Sequence, residues 1–406
     1  MKFCLIGEKL IHSYSKDIHN LNGVTYDLVE LKKDELESFC KNSLYDGFNV
    51  TIPYKEEVIK YLDELSLDAK SVGAVNTVVK KDGKLIGYNT DVSGFIYALK
   101  LKGVSVSGKT VMVLGTGGAS KAVKYALEKE GAKKIIFVSR KGEINYQNCY
   151  EFQEVDVLIN ATPVGTFPNF EKSPLEIEKF ENLSFVFDLI YNPNKTKLLL
   201  QAEDRKISYT NGLSMLVKQA LDAETLWGVK GDFSETYLIN AVKNRNLSIV
   251  LTGMPGCGKS TVGYTLAKSI NKEFIDLDLE IEKNTGVCCS DIILKNGEDY
   301  FRKLETETLK SVLINKAGGV IALGGGAIIS SYNRELLRYN SITVYVKRDL
   351  DKLSTNGRPL SQKNGVINLY NERKEFYETA NITICNDSDI TSCVKEIINN
   401  YETFSN

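Results

Sequence analysis

Short apolar runs alternate with helical patterns over residues 1–93. The runs are KFCLIG, GVTYDLVEL, GFNVTI, AVNTVVK and KLIGYNT, and segments such as SKDIHNL and KDELESFCKN lie between them. Short apolar runs rich in β-branched and aromatic residues favour strands, whereas the intervening segments place their apolar residues at helical spacing. The pattern therefore predicts an α/β domain in this part of the chain.

A second set of apolar runs extends over residues 94–211. KTVMVLG, KKIIFVSR, VDVLINAT, FVFDLIY and ISYT are separated by helical segments and are almost continuously apolar. Strands buried on both faces of a parallel sheet have this character, so we predict a doubly wound sheet. Helical patterns fill residues 212–244, with Ser234 as the expected N-cap of the last helix. Because the strand LSIVLTG follows at once, a domain boundary is predicted near residue 245.

Residues 248–270, SIVLTGMPGCGKSTVGYTLAKSI, join a β-branched run, a glycine-rich turn and a helical pattern. The turn from Gly253 to Ser260 matches G-x-x-x-x-G-K-[ST] between a strand and a helix, which is the context that a phosphate-binding loop requires. Backbone N–H groups of such a loop wrap phosphates, its lysine reaches the β- and γ-phosphates, and its hydroxyl ligates Mg²⁺. We expect a nucleoside triphosphate to be bound by Gly256, Gly258, Lys259, Ser260 and Thr261.

Two aspartates follow the loop in the segment FIDLDLEIE. Taken as a strand, this segment places Asp276 and Asp278 on the same side, since side chains alternate with period two. One carboxylate can then hold the metal together with Ser260, while the other reaches an acceptor hydroxyl. Two solvated acids at the end of a strand are the alternative.

Another glycine-rich turn, VMVLGTGGAS, lies in the first half of the chain. It lies between a strand and a helix whose N-terminus can hold a pyrophosphate, and we expect Gly115, Gly117, Gly118 and Ala119 to contact the cofactor. The next strand ends in Ser139, Arg140 and Lys141. Cations at this point suit the 2′-phosphate of NADP, where an NAD site usually places an acid, although an ordinary solvated strand end is the alternative.

Composition and charge narrow the class of protein. At ~150 residues per domain, 406 residues suggest two or three domains. The 51 Lys and Arg residues balance 52 Asp and Glu residues without a basic stripe, so we expect small-molecule partners rather than nucleic acid. The eight cysteines form no CxxC pair, which argues against a disulfide framework or a zinc site. Without an apolar run long enough for a signal peptide or a membrane span, we expect a cytoplasmic protein; the oligomeric state is left open.

Four motifs after the phosphate-binding loop carry a resemblance: GEDYFRKLETETL, VIALGGGAII, NGRPL and NERKEFYETA. With the loop and the two aspartates, they resemble shikimate kinase across nearly all of residues 247–400. The resemblance implies that Asp278, Arg302 and Gly325 bind shikimate, with Arg302 gripping its carboxylate through charge-assisted bonds. It further implies that Arg373 is a second carboxylate-binding arginine, and that Arg358 is a lid arginine covering the transferring phosphoryl group.

The motifs HSYSKDIHN, FNVTIPYKEEV, GAVNTVV and GYNTD, followed by NATPVG, DLIYNPNKT and NGLSMLVKQA, lie in the first half. In this order they resemble shikimate dehydrogenase over residues 1–230. The resemblance implies that Lys55 delivers or removes the proton on the substrate oxygen. Asp91 would hydrogen-bond beside Lys55, and mutual charge stabilisation would keep both ionised.

Further substrate contacts are implied by the same resemblance. Ser13 and Ser15 match the hydroxyls that bind the substrate carboxylate, although capping of a helix at SYSKD is the alternative. The groups expected on the ring hydroxyls are Thr51, Asn76 and Gln219, and Tyr191 is expected to close the site from the cofactor side. We assign the only histidines, His12 and His19, to structural roles.

The chain also departs from both families. The segment between Arg140 and VDVLINAT is too short for a full helix and strand, so we predict a Rossmann domain trimmed by one unit. KLSTNGRPL is shorter than a usual lid. The predicted architecture is an α/β substrate domain (1–93, completed by helix 212–244), a trimmed Rossmann NADP-binding domain (94–211), and a P-loop domain of the nucleoside-monophosphate-kinase type with a parallel sheet (246–406).

Two consecutive reactions would explain two nucleotide sites in one chain. NADPH-dependent reduction of 3-dehydroshikimate gives shikimate, which is the acceptor for phosphorylation by ATP and Mg²⁺. One alternative keeps both folds and oxidises quinate with NAD. Another makes the kinase-like half a nucleotide-binding regulatory module without catalysis, an idea motivated by the shortened lid.

Overall fold

A computed structural model describes residues 1–10, 13–354, 362, 365–387 and 389–405, with side chains as far as residue 401. The chain separates into two compact units, 1–242 and 243–406. No described helix has the length and apolarity needed to cross a membrane.

The first unit begins with a mixed six-stranded sheet. Its elements are β1 (Phe3–Gly7), α1 (Ser15–Leu21), β2 (Tyr26–Glu30), α2 (Leu36–Asn42), β3 (Gly47–Val50), β4 (Glu64–Leu65), α3 (Leu67–Val72), β5 (Thr77–Lys81), β6 (Lys84–Tyr88) and α4 (Asp91–Leu101). The strand order is β2-β1-β3-β5-β6-β4, in which β3-β5 and β5-β6 pair antiparallel. The two-residue strand β4 is too short to show a hydrophobic pattern and was not predicted.

The second sheet of this unit is entirely parallel, as the continuous apolar runs predicted. It comprises β7 (Thr110–Leu114), α5 (Gly118–Lys129), β8 (Lys134–Val138), β9 (Val157–Asn160), β10 (Phe185–Asp188), α6 (Lys197–Asp204) and β11 (Ser208–Thr210). The strand order is β11-β10-β9-β7-β8. Every residue of β7 is buried, because helices cover both faces of the sheet. Only a 3₁₀ turn, Cys149–Glu151, lies between β8 and β9, so β8 is an edge strand and the fold is a trimmed Rossmann domain.

The unit ends with α7 (Leu213–Leu226) and the first part of α8 (Glu235–Asn246), whose residues 243–246 belong to the second unit. Ser234 Oγ accepts from the Tyr237 N–H at 3.3 Å, so Ser234 caps α8 as its sequence position predicted. Apolar residues of α7, among them Val217 and Ala220, pack with Leu238 and Val242 of α8 in one buried cluster.

The second unit is a five-stranded parallel sheet with helices. Its elements are β12 (Ser248–Thr252), α9 (Lys259–Ser269), β13 (Phe274–Asp276), α10 (Leu277–Thr285), α11 (Cys289–Asn296), α12 (Glu298–Asn315), β14 (Val320–Ala322), α13 (Ser331–Asn340), β15 (Ser341–Lys347), α14 (Val366–Tyr377), β16 (Ile382–Cys385) and α15 (Ile390–Ser405). The strand order is β13-β14-β12-β15-β16. The carboxyl ends of parallel strands meet at one edge, where ligands bind in such sheets.

Two candidate active sites

Lys55 and Asp91 form a close ion pair in the first unit. Lys55 Nζ lies 2.7 Å from Asp91 Oδ2, and the two side chains are only 15% and 8% exposed. Asp91 begins α4, where the positive end of a helix stabilises a carboxylate, and its N–H donates to Asn89 Oδ1. The predicted catalytic pair is thus brought together as a proton donor beside a carboxylate at a largely buried position.

Asn76 connects Asp91 to the neighbouring polar groups. Its Nδ2 donates to Asp91 Oδ1 at 3.0 Å and lies 3.3 Å from Gln219 Oε1 on α7. Its Oδ1 accepts from the Thr90 N–H at 2.7 Å. The structure therefore gathers three of the predicted substrate and catalytic residues from segments that lie far apart in sequence.

Ser13 and Ser15 lie at the start of α1, which has no side-chain cap. The Ser15 N–H donates to Ser13 Oγ at 3.3 Å, and Ser13 also hydrogen-bonds Tyr191. The rings of Tyr191 and Tyr14 pack with centroids 5.0 Å apart. Burial raises the pKa of Tyr191, so its phenol stays neutral. Thr51 follows β3 at a half-buried position, with its N–H on the Ile6 carbonyl.

The turn from Gly115 to Gly118 joins β7 to α5. Gly115 has φ +103°, and a Cβ there would lie 3.0 Å from the Ala161 carbonyl oxygen, so only glycine fits. Gly117 is the N-cap of α5, and a Cβ there would have no heavy atom within 4 Å, which leaves the helix N-terminus open to a pyrophosphate. Gly118 and the half-buried Ala119 begin the helix.

Ser139, Arg140 and Lys141 follow β8, the strand beside β7. The Gly115 N–H donates to the Val138 carbonyl at 2.9 Å, which aligns the end of β8 with the glycine turn. Arg140 and Lys141 are exposed, and Ser139 is half-buried. The ribose of a dinucleotide bound at the turn is expected at this strand end, so the three residues fit a phosphorylated ribose.

Asp188, at the end of β10, is a fully buried carboxyl to which the motifs gave no role. It accepts hydrogen bonds from Asn160 Nδ2, Thr196 Oγ1 and the Ile190 N–H. Burial outweighs these bonds and raises the pKa of Asp188 to about 7. The network fixes the segment that leads to Tyr191. Asp188 is the first residue of the motif DLIYNPNKT, but the sequence of the motif does not show that this carboxyl group is buried.

His19 is fully buried and structural, as expected. Its Nδ1 lies 2.7 Å from Glu224 Oε1, and its ring stacks on Tyr26 with centroids 4.0 Å apart. His12 lies outside the described residues.

The phosphate-binding loop of the second unit connects β12 to α9. Asn386 Nδ2 donates to the Cys257 carbonyl at 2.7 Å and so braces the loop from outside. Lys259 is buried, and its Nζ lies 3.0 and 3.1 Å from the carbonyl oxygens of Gly253 and Met254. The ammonium is therefore held within the loop, while Thr261 is exposed in the first turn of α9.

Ser260 and Asp276 are close enough to share a cation, since Ser260 Oγ lies 2.6 Å from Asp276 Oδ2. Hydroxyl and carboxylate oxygens are ligands that Mg²⁺ prefers, so the pair fits the predicted metal. The expectation that Asp276 and Asp278 share one side of a strand is wrong. β13 ends at Asp276, whose Oδ1 accepts from the Asp278 N–H at 3.1 Å and caps α10, so Asp278 lies in the first turn of that helix.

A cavity of about 450 Å³ opens beside the loop, and Lys259, Asp278, Arg302, Glu305 and Arg373 are among its lining residues. Arg302 is paired twice: its Nη1 lies 2.8 Å from Glu305 Oε2, and its Nη2 lies 2.8 Å from Glu298 Oε1. Burial raises the pKa of Glu305, opposed by the charge of Arg302. Burial and the charge of Asp276 raise the pKa of Asp278.

Two buried oxygens in this cavity, Asp278 Oδ1 and Glu305 Oε1, have no hydrogen-bond partner in the described part of the chain. Both lie beside Gly324, where a Cβ would come within 2.8 and 2.6 Å of them. Buried polar atoms are normally satisfied, and the hydroxyl group of a ligand would satisfy these two.

Gly325 is packed between the phosphate-binding loop and α14. A Cβ there would lie 2.7 Å from Pro255 Cδ, and its carbonyl accepts from Tyr377 Oη at 2.5 Å. Tyr377 is fully buried, hydrogen-bonds Arg373, and stacks on Tyr345 with ring centroids 5.2 Å apart. Tyr377 therefore connects two predicted acceptor residues, a link that no local motif shows.

Other lining residues were missed in the sequence: Cys289, Ser290, Ile293 and Arg348. Of these, Arg348 was the easiest to predict from the sequence. It directly follows β15, which pairs with β12, and β12 leads into the phosphate-binding loop. Arg358, the predicted lid arginine, lies outside the described residues.

Comparison with known proteins places this geometry in a family. A protein named shikimate dehydrogenase (NADP(+)) from Caldicellulosiruptor bescii is 39% identical over 273 residues, covering 60% of this chain and 94% of that protein. The chain belongs to the shikimate dehydrogenase family. The model of the shikimate dehydrogenase substrate binding domain matches residues 5–78, and the shikimate kinase model matches residues 255–402. The chain is thus a fusion of a shikimate dehydrogenase with a shikimate kinase domain.

Solved structures support the dehydrogenase assignment. Shikimate dehydrogenase 1 from Peptoclostridium difficile is 35% identical, with a TM-score of 0.55, and the match covers 59% of this chain and 97% of that one. Shikimate 5-dehydrogenase from Thermus thermophilus, solved with NADP(H) and shikimate, is 31% identical with a TM-score of 0.55, covering 60% of this chain and 98% of that one. The shared fold places the first unit among the Rossmann-type shikimate dehydrogenases.

Proposed function

We propose that this chain reduces 3-dehydroshikimate to shikimate with NADPH and phosphorylates shikimate with ATP and Mg²⁺ to shikimate 3-phosphate. One observation carries the proposal. The chain contains two sites. In the first unit, the Lys55–Asp91 pair lies beside a glycine turn of the dinucleotide-binding type. In the second unit, a phosphate-binding loop lies beside a cavity lined by arginines. The product of the first reaction is the acceptor of the second, which accounts for both sites in one protein.

In the reduction, NADPH bound at the glycine turn would supply the hydride for the carbonyl carbon of the substrate. Lys55 donates the proton that the carbonyl oxygen then takes up, and the Asp91 carboxylate 2.7 Å away orients the Lys55 side chain. Asn76 and Gln219, together with Thr51, hydrogen-bond the ring hydroxyls.

The substrate carboxylate is held by the hydroxyls of Ser13 and Ser15. Tyr191 closes the site from the cofactor side with its neutral phenol. Both serines lie at the N-terminal end of α1, where the backbone also favours a negative charge.

NADP(H) is held at the N-terminus of α5. Gly117 and Gly118 leave room for the pyrophosphate, Gly115 makes the tight turn, and Ala119 continues the helix. The 2′-phosphate is bound by Ser139, Arg140 and Lys141, whose exposed cations favour NADP over NAD.

The second unit binds ATP through its phosphate-binding loop. Backbone N–H groups from Gly256, Gly258 and Thr261 would surround the phosphates, and the Lys259 ammonium, which lies on two carbonyls of the same loop, would neutralise the phosphate charge. Ser260 and Asp276 hold Mg²⁺, with Asp276 fixed by its capping bond to α10.

The acceptor is oriented by groups on the opposite side of the cavity. Asp278 accepts the proton of the shikimate hydroxyl, a role that suits a carboxylate whose pKa is raised by burial. Arg302 and Arg373 bind the carboxylate, and Gly325 lets the ring approach the loop. Arg358 stabilises the transferring phosphoryl group.

We further propose three domains: residues 1–93 completed by helix 212–244, residues 94–211, and residues 246–406.

We assign the protein to the cytoplasm, since its eight cysteines are free thiols, as a reducing compartment maintains them.

Separate initial rates for the two half-reactions test the proposal. NADPH oxidation should require 3-dehydroshikimate, and ADP release should require both shikimate and Mg²⁺. Quinate with NAD, and ATP without shikimate, should give no comparable rate. Preference for quinate and NAD would replace the first assignment, and nucleotide binding without shikimate-dependent ADP release would make the second unit a binding module.

A further inference from the structure

Arg348 is an arginine of the kinase cavity to which neither the sequence motifs nor the proposed mechanism gives a role. It follows β15, which pairs in parallel with β12, the strand that leads into the phosphate-binding loop. The strands meet closely at this end, since a Cβ on Gly253 would lie 2.5 Å from the Val346 carbonyl oxygen. Arg348 lines the same cavity as Lys259 and Ser260.

The hydrogen-bonding state of Arg348 distinguishes it from Arg302 and Lys259. Its Nε is buried and has no hydrogen-bond partner in the described part of the chain. Arg302, by contrast, is paired with Glu298 and Glu305, and Lys259 bonds two loop carbonyls. The Nε of Arg373 is likewise without a partner among the described residues, but the Arg373 side chain hydrogen-bonds Tyr377. A buried guanidinium N–H without an acceptor is costly, and Arg348 is one of the residues that line the cavity, so it is available for an anionic ligand.

The position of Arg348 at the end of β15 indicates which of the two substrates it contacts. In the strand order β13-β14-β12-β15-β16, the acceptor groups Asp278 and Gly325 follow β13 and β14 on one side of the loop strand. Arg348 follows β15 on the other side of the loop strand. The acceptor carboxylate already has two arginines, Arg302 and Arg373, so the unassigned cation lies toward the donor.

We propose that the Arg348 guanidinium binds the phosphate chain of the donor nucleoside triphosphate. The inference rests on the proposed kinase function of this unit. A planar guanidinium can donate two parallel hydrogen bonds to phosphate oxygens, and it joins Lys259 in neutralising them. Arg348 thereby supplies a donor-side arginine within the described residues.

Calorimetric titration of the full chain with ATP and with AMP tests this proposal. In Arg348→Gln, the Kd for ATP should rise by about 10-fold or more, because charge-assisted hydrogen bonds are lost. The Kd for AMP should not change, since AMP lacks the β- and γ-phosphates. Arg348→Lys should recover part of the ATP affinity, and Lys347→Gln, an exposed neighbour outside the cavity, should match the wild type.

Shikimate titration of the same variants shows whether the cavity is intact, and its Kd should be unchanged in Arg348→Gln. Equal losses for ATP and AMP would overturn the proposal by placing Arg348 at the nucleoside, and so would unchanged ATP affinity or a loss confined to shikimate. If the wild type binds ATP with this Arg348 dependence yet phosphorylates no shikimate, the inference stands and the proposed kinase reaction fails. If the wild type does not prefer ATP to AMP, the inference fails.

Discussion

Gly118 packs directly against Lys55: a Cβ at Gly118 would lie 3.5 Å from Cβ and 3.6 Å from Cδ of the lysine. The glycine belongs to the turn between β7 and α5, and the lysine belongs to the segment after β3. A dinucleotide at this turn would therefore lie beside the Lys55–Asp91 ion pair. This proximity supports the assignment of hydride and proton transfer to one site.

Removal of Lys55 should stop the reduction and spare the kinase. In Lys55→Met, the kcat for 3-dehydroshikimate should fall by ~10²- to 10⁴-fold, the usual contribution of a positioned proton donor. Shikimate-dependent ADP release should be unchanged. Lys60→Met is the matched control, because Lys60 is exposed and pairs only with Glu57 among the described residues. Equal losses in both variants, or loss of both activities in Lys55→Met, would contradict the assignment.

Removal of the cations after β8 should change cofactor preference. In the double variant Arg140→Ala, Lys141→Ala, the KM for NADPH should rise by about 10-fold, since two exposed cations no longer meet the 2′-phosphate. The KM for NADH should hardly move. Lys133→Ala, at the opposite end of β8, serves as the control, and parallel increases for both cofactors would show that the cations act on something other than the 2′-phosphate.

Much of the fold could be predicted from hydrophobic periodicity and motif context. The segment SKDIHNL is α1 residue for residue, and the apolar runs after residue 94 form the parallel sheet. The shortened segment after Arg140 contains a 3₁₀ turn in place of a helix and strand, as its length required. These features depend on local sequence, which is why the sequence was sufficient.

The candidate sites were less predictable because long-range contacts decide them. The segment FIDLDLEIE alternates like a strand, yet the capping bond of Asp276 starts α10 and turns Asp278 into a helical residue. The link from Tyr377 to Gly325 spans 52 positions, and the exposure of Arg348 to the cavity depends on the neighbouring strands. Spacing along the chain carries none of this information.

Loss of the Tyr377 hydroxyl should weaken acceptor binding. In Tyr377→Phe, the KM for shikimate should rise by about 5-fold, because the buried hydrogen bond to Gly325 and the contacts to Arg373 and Met254 Sδ are lost while the ring stays packed. The KM for ATP should stay the same. Tyr345→Phe is the matched control, since its hydroxyl bonds Tyr370 rather than a site residue. Equal effects of the two substitutions would reduce Tyr377 to a packing role.

Stability of the first unit should depend on the ionisation of Asp188. Burial raises its pKa from 3.8 to about 7, so the folded chain binds more protons than the unfolded chain between these values. The free energy of unfolding contributed by this group is therefore full below pH 4 and is lost as the pH rises through 7. Asp188→Asn, a neutral isostere, should remove that part of the pH dependence.

Urea unfolding followed by the fluorescence of Trp227, the only tryptophan, measures this effect. Trp227 stacks on Phe3 in the core of the first unit. Between pH 5 and pH 8, the free energy of unfolding should fall more for the wild type than for Asp188→Asn. The variant should therefore become more stable relative to the wild type as the pH rises. Parallel pH profiles would show that Asp188 does not titrate in this range.

If this one chain catalyses two consecutive reactions, identification of the products by mass after a single incubation will detect both steps. The full chain is supplied with 3-dehydroshikimate, NADPH, ATP and Mg²⁺, beside Lys55→Ala and Lys259→Ala variants. We expect shikimate 3-phosphate from the wild type, shikimate alone from Lys259→Ala, and neither product from Lys55→Ala. Accumulation of unphosphorylated shikimate by the wild type, or phosphorylated product from Lys259→Ala, would contradict the account.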